Sequence, residues 1–116
     1  MTKPRSTRRH HQLAMLSYYV LLALAEGPAH GWAIIKRIRE LTNGATNPSS
    51  GSLYLAMARL EDDDLIAKTA APPNEDERRG YYKLTAAGRH AARDESQRLS
   101  RLVRHARALD LLGESR

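Results

Sequence analysis

A chain of 116 residues with 41% hydrophobic and 28% charged side chains can bury one core but not two, and its composition excludes wholesale disorder. The net charge of +6 favours polyanionic partners, because a positive field draws and holds phosphates. Without cysteine, disulfides, thiolate metal sites and cysteine nucleophiles are ruled out, and with no Phe and one Trp the core must be chiefly aliphatic.

Residues 1–12 are basic and polar, with Lys3, Arg5, Arg8 and Arg9 and no apolar periodicity. They are expected to form a flexible arm, of the kind that touches the DNA backbone or minor groove on some recognition domains. From Leu13 to Glu26 the chain is apolar nearly all round, which predicts a helix at the centre of the fold, stopped by Gly27-Pro28. Its longest apolar run, Tyr18 to Ala25, is too short to cross a bilayer, and the basic start lacks a signal-peptide core. A cytoplasmic protein without a membrane partner is therefore expected. After the short link Gly27 to Ala29, Ile34, Ile35, Ile38 and Leu41 form one face of a second, amphipathic helix, with Lys36, Arg37, Arg39 and Glu40 opposite. The turn pair Asn43-Gly44 and then Pro48 end it.

A third helix is predicted from near Ser50, with Ser49 or Ser50 as its cap and Leu53, Ala56, Met57 and Leu60 as its buried stripe. Opposite that stripe lie Gly51, Leu55, Ala58 and Asp62, flanked by Ser52 and Arg59 on one side and Tyr54 on the other. Helices that only keep a protein soluble fill their outer face with Lys and Glu, whereas the front half of this one is small, hydroxylated and free of acids. Such a face suits close approach to a flat polar surface, with a helix N-terminus that favours phosphate.

Two short β-prone runs, Leu65 to Thr69 and Gly80 to Leu84, flank a Pro-rich charged loop and predict a hairpin wing. Arg78, Arg79 and Lys83 on its second leg are placed either to reach a phosphate backbone or to neutralise Glu75, Asp76 and Glu77. Thr85 then caps a long final helix whose Leu99, Leu102, Val103, Ala106, Leu109 and Leu112 follow a 3-4 spacing, with Ala87, Ala91 and Ala92 extending the strip backwards. A narrow Leu-rich strip cannot stay in water, so a second subunit is its expected cover.

Three segments, L-L-A-L-A-E-G-P-A-H-G-W-A-I-I-K-R-I at 21–38, S-G-S-L-Y-L-A-M-A-R-L-E-D-D-D-L-I at 50–66 and R-R-G-Y-Y-K-L-T-A-A-G-R at 78–89, resemble in order and spacing the PadR family of bacterial transcriptional regulators. The resemblance implies a mainly α fold with a small β-hairpin wing, a winged helix-turn-helix DNA-binding domain over 13–84 and a C-terminal dimerisation helix over 85–116, as in the smaller branch of the family. It also implies a homodimer on double-stranded operator DNA, usually a repressor released by a small-molecule effector. The family's G-S-L-Y falls on Gly51, Ser52, Leu53 and Tyr54, and its basic wing on Arg79 to Tyr82. The chain departs from the family at Trp32, where Tyr is frequent, and at Asp64, where Gly usually ends the helix; Asp tolerates the left-handed conformation needed there.

The residues expected at DNA are thus Ser50, Gly51, Ser52, Tyr54, Leu55, Arg59, Arg78, Arg79 and Lys83, with Ser52, Tyr54, Leu55 and Arg59 as base readers. An effector pocket is expected around Trp32 with Tyr18 or Tyr19. A metal-responsive regulator using His90 and His105 is a weaker alternative, because those two are fifteen residues apart and nothing nearby in sequence completes a site. A winged-helix module that binds protein is a further alternative; it predicts an acidic or apolar recognition face, contrary to the small polar face here, though Leu55 and Tyr54 keep it open. No catalytic constellation or phosphate loop appears, so neither an enzyme nor a cofactor is expected.

Overall fold

The structure, a computed structural model, describes residues 13–113. The arm expected over residues 1–12 lies outside the described residues. Helices α1 (Met15–Ala25), α2 (Gly31–Leu41), α3 (Ser50–Asp62) and α4 (Ala86–Ala108) are joined by strands β1 (Ala29–His30), β2 (Ile66–Thr69) and β3 (Tyr81–Leu84). This is the mainly α, winged helix-turn-helix architecture expected from the sequence.

The nearly continuous apolar surface of α1 puts it in the middle, in contact with α2, α3, α4 and β3. Val20 and Leu21 from α1 meet Ile34 and Ile38 from α2, Leu53 and Met57 from α3, and Ile66 from β2, all fully buried. Burying each such side chain stabilises the fold by roughly 1.5–3 kcal/mol. The stripe predicted on α3 is the one that is buried: Leu53, Ala56, Met57 and Leu60.

Three helices start on side-chain caps. His30 Nδ1 accepts from the Ala33 N–H at 3.2 Å, Ser49 Oγ from the Ser52 N–H at 3.1 Å, and Thr85 Oγ1 from the Gly88 N–H at 2.9 Å. The same three helices end on a residue in the left-handed region, Asn43 (φ 55), Asp64 (φ 63) and Asp110 (φ 62). At Asp64 the closing pair is Leu65 N–H to the Leu60 carbonyl at 2.9 Å and Asp64 N–H to the Glu61 carbonyl at 3.0 Å. Asp thus takes over the glycine's role at this stop.

Helix α1 ends differently. Arg37, expected on the solvent face of α2, is half-buried and donates from Nη1 to the carbonyls of Ala23 at 2.9 Å and Gly27 at 2.7 Å. The Ala23 carbonyl also accepts the Glu26 N–H at 3.3 Å, and Gly27 lies just past the helix, so Arg37 adds a side-chain donor to the backbone at the α1 stop.

Two further differences from expectation concern the sheet and the last helix. The wing has three strands in the order β1-β3-β2, with Ala29 opposite Tyr82 and His30 opposite Tyr81. A two-residue strand carries no periodicity, so the sequence presents it as a link. Helix α4 stops at Ala108, earlier than its apolar spacing suggests, because Asp110 turns left-handed and Leu111 N–H closes on the Ala106 carbonyl at 2.8 Å. Leu109 and Leu112 therefore lie just past the helix.

The first turns of α4 pack on the domain through Gly88, Ala92 and Glu95, while Ala87 points to solvent. Tyr18 Oη and Ser96 Oγ share a hydrogen bond of 2.7 Å. Glu95, only 6% exposed, holds Arg98 through two bonds of 3.2 and 2.6 Å.

Candidate nucleic-acid interface

On α3, Ser50, Gly51, Ser52, Tyr54, Leu55, Ala58 and Arg59 are all exposed. Leu55 is 66% and Tyr54 59% exposed, so two large apolar groups stand on a face that otherwise carries only small groups and one cation. The hydroxyls at its head are ordered: Ser49 Oγ accepts from the Ser52 N–H and donates to Ser52 Oγ at 3.1 Å. Because Ser52 Oγ accepts that bond, its own proton points outward and is available to an acceptor. Tyr54 leans over the start of α2, where its hydroxyl lies 3.6 Å from the point a Cβ on Gly31 would occupy.

The pleat of β3 sorts the wing residues. Tyr82 and Leu84 share the core side with Ile66 and Lys68, whereas Lys83 shares the outer side with Tyr81. Lys83 is exposed. Both wing arginines reach Asp76: Arg78 Nε at 3.2 Å and Arg79 Nε at 3.9 Å. The neutralising arrangement considered from the sequence is therefore realised in the free protein, although the Arg78 side chain is 92% exposed and Arg79 half exposed. Exposed pairs of this kind contribute little to stability, little enough for a phosphate to replace the partner. The backbone N–H and side chain of Arg78 hold the Asp76 carboxyl below its usual range.

His30 joins the wing to the helix-turn-helix. Its ring meets Tyr81 edge-on at 5.3 Å, and its Nε2 lies 3.3 Å from Arg79 Nη1. Burial first, then the charge of Arg79, lowers its proton affinity below that of a free imidazole. Tyr81 in turn donates from its hydroxyl to Glu75 at 3.3 Å, folding the wing loop back over the sheet. Burial, followed by that carboxylate, raises the Tyr81 pKa. Lys68, one exposed cation among many and not marked out by any motif, lines a cleft at the wing with Thr69, Arg78, Arg79 and Tyr82.

The residues expected around an effector are separated by their environments. Tyr18 is buried and bonded to Ser96, Tyr19 packs partly on the core, and Trp32 is 65% exposed at the head of α2. Along α4, Leu99 and Ala106 are half-buried, while Leu102 (54%), Val103 (43%) and Leu109 (56%) stand in solvent. Leu112 and Leu111, the latter outside the predicted strip, extend that surface. Among the described residues, no three His, Asp or Glu side chains come together as a metal site, and no helix is long and apolar enough to cross a membrane.

Comparison with known proteins agrees with this geometry. A protein of Streptomyces fradiae, described as an uncharacterized 37.1 kDa protein in transposon TN4556, is 41% identical over 83 residues, covering 72% of this chain and 22% of that protein. The chain thus spans about a fifth of that relative's length. Among solved structures, a PadR family transcription regulator from Clostridium difficile superposes with a TM-score of 0.71 at 23% identity over 83% of this chain and 98% of the other. A PadR-like regulator from Bacillus cereus gives 0.71 at 22% identity, covering 86% and 94%. A PadR-like transcription factor from Bacteroides fragilis gives 0.66 at 26% identity, covering 90% and 94%. The sequence model of the transcriptional regulator PadR-like family matches residues 20–94. On that match the chain belongs to the PadR-like family of transcriptional regulators, a DNA-binding and non-enzymatic family.

Proposed function

We propose that the protein is a homodimeric, sequence-specific repressor, in which two copies joined through the second half of α4 set their α3 helices into successive major grooves of an operator. The observation that carries this proposal is the pairing, in one chain, of an exposed α3 face free of acids at its head with an apolar strip at Leu102, Val103 and Leu109 that its own domain leaves uncovered. Residues 13–84 form the recognition unit, and the segment from residue 85 carries both a docking half and a dimerising half. Leu99, Leu102, Val103, Ala106, Leu109 and Leu112 supply the interface. In a dimer the grooves lie about 34 Å apart, so the angle between the two α4 helices decides whether both α3 helices fit.

Arg78, Arg79 and Lys83 supply affinity that does not depend on sequence, while Ser52, Tyr54, Leu55 and Arg59 read bases, Leu55 through thymine methyl groups. Repression follows from occupying the operator. A small molecule that binds near Trp32 and shifts the α4 angle releases it. Trp32 is the chain's one tryptophan, so its fluorescence reports directly on such a ligand.

Binding to duplex DNA over a range of salt concentrations tests the proposal. Affinity should fall steeply with salt, each neutralised phosphate adding about −0.9 to the log–log slope. Failure to bind any duplex at low salt would refute it, and Trp32 emission unmoved by a broad panel of aromatic ligands would refute the effector site alone.

A further inference from the structure

The contacts of His30 pose a proton problem. Its Nδ1 accepts the Ala33 N–H that begins α2, so the lone pair there is used. A neutral imidazole has one acceptor nitrogen and one N–H, which assigns its proton to Nε2. Yet Nε2 faces Nη1 of Arg79 at 3.3 Å, and a guanidinium only donates. Two N–H donors therefore converge with no acceptor between them. The other tautomer satisfies Arg79 only by giving up the α2 cap. Asp76 relieves little of this, since it engages the Nε edge of Arg79 at 3.9 Å. The pair sits where the wing meets the head of α2, beside the Tyr54 end of α3.

We propose that His30 and Arg79 together bind one backbone phosphate of the DNA duplex, the imidazole donating from Nε2 and the guanidinium from Nη1. A phosphate oxygen supplies an acceptor to both groups and, while the ring is neutral, leaves the cap on α2 intact. This assignment rests on the DNA-binding role proposed above and adds to it a contact from β1, outside the recognition helix and the wing arginines.

The contact has a signature that a neutral hydrogen bond would not have. In the free protein His30 is held short of protonation by burial and Arg79, with Arg37 acting in the same direction and Glu75 and Asp76 against it. Tyr81 covers the ring from the side. A phosphate adds negative charge at Nε2 and so favours the imidazolium, which still donates there but carries its added proton on Nδ1, at the cost of the Ala33 N–H cap whether or not DNA is bound. Binding then takes up a proton, and affinity rises as pH falls through the imidazole range.

The test uses the full chain and a mixed-sequence duplex at low salt, since a phosphate contact needs no operator. The dissociation constant is measured from about pH 5.5 to 8 for the native chain and for His30→Asn, which keeps an N-cap acceptor but cannot titrate. The native chain should tighten with falling pH by up to about tenfold per unit for each His30 that takes up a proton, so up to about a hundredfold for a bound dimer, and His30→Asn should lose that dependence. A histidine NMR titration of the native chain, with and without DNA, gives the same answer without any variant: the His30 pKa should move up on binding. An unmoved His30, or a pH dependence that survives in His30→Asn, overturns the assignment while leaving DNA binding in place. Absence of any duplex binding overturns both.

Discussion

Gly88 on α4 lies against the carbonyl oxygen of Leu65, so close that a methyl group on Gly88 would overlap it. The same carbonyl accepts the Thr85 N–H at 3.2 Å, and Thr85 Oγ1 donates to the Asp64 carbonyl at 2.7 Å. Two residues, Thr85 and Gly88, thus fasten the start of α4 to the stop of α3. The recognition helix and the proposed dimerisation helix are joined through backbone contacts, without a flexible linker. Replacing Gly88 with Ala should destabilise the protein by about 1–3 kcal/mol, the usual cost of overpacking, because backbone rather than a side-chain tip must yield. Thermal melts of the two proteins measure it; an unchanged midpoint would show that the helix can slide.

The head of α3 hangs on Ser49. Ser49→Ala removes the acceptor for the Ser52 N–H and the donor to Ser52 Oγ together. The expected loss is about 1 kcal/mol of stability. DNA affinity should fall further than stability alone explains, since Ser52 is then no longer oriented. Chemical denaturation set beside DNA titrations checks this, and Ser49→Asp should restore the cap but weaken DNA binding by placing a negative charge at the interface.

The α3 face carries a charged and an apolar reader of bases. Arg59→Ala should relax preference at one base position, measured on duplexes varied one pair at a time; a uniform loss on all duplexes, with the salt slope reduced by about one, would make Arg59 a phosphate contact instead. Leu55, 66% exposed, should be replaceable by Ala with less than about 0.5 kcal/mol change in stability. What Leu55→Ala should cost is discrimination between the operator and other DNA. Equal losses on specific and non-specific duplexes would remove Leu55 from base reading.

Much of this arrangement was legible in the sequence and some of it was not, for identifiable physical reasons. The buried stripe of α3 followed from spacing alone, and Asp64 was recognisable as a left-handed stop because it falls where the resembled family usually ends the helix with Gly. The strand at Ala29–His30 escaped because two residues have no period. The end of α4 was misplaced because the apolar spacing continues through Leu109 and Leu112 while Asp110 breaks the backbone, and an Asp at that point resembles any other surface acid. Gly88 against Leu65 and His30 against Arg79 depend on residues brought together only by the fold. Arg37 was assigned to solvent because a helical wheel cannot show that the end of α1 lies within its reach.

Acid should weaken the fold in a way that His30 makes traceable. Its folded-state pKa lies below the unfolded value of about 6.5, so below that pH the unfolded chain binds more protons than the folded one. Stability is complete above about pH 6.5 and declines as pH falls through that value. Asp76, whose pKa is also lowered in the fold, adds a separate loss in the carboxylate range. Denaturation followed between about pH 5 and 7 should show the first decline in the native chain and less of it in His30→Asn. Identical curves would mean that His30 is not the group responsible.

The most direct measurement is the number of chains on the DNA. Sedimentation of the full chain, alone and with a duplex carrying an inverted repeat, should give a dimer in both cases, bound as two chains per duplex. Leu102→Asp, which places a charge on an exposed part of α4 and not in the domain core, should leave the fold intact and give monomers that bind with much lower affinity. A native chain that remains monomeric at concentrations where it saturates the duplex, one copy per site, would contradict the account.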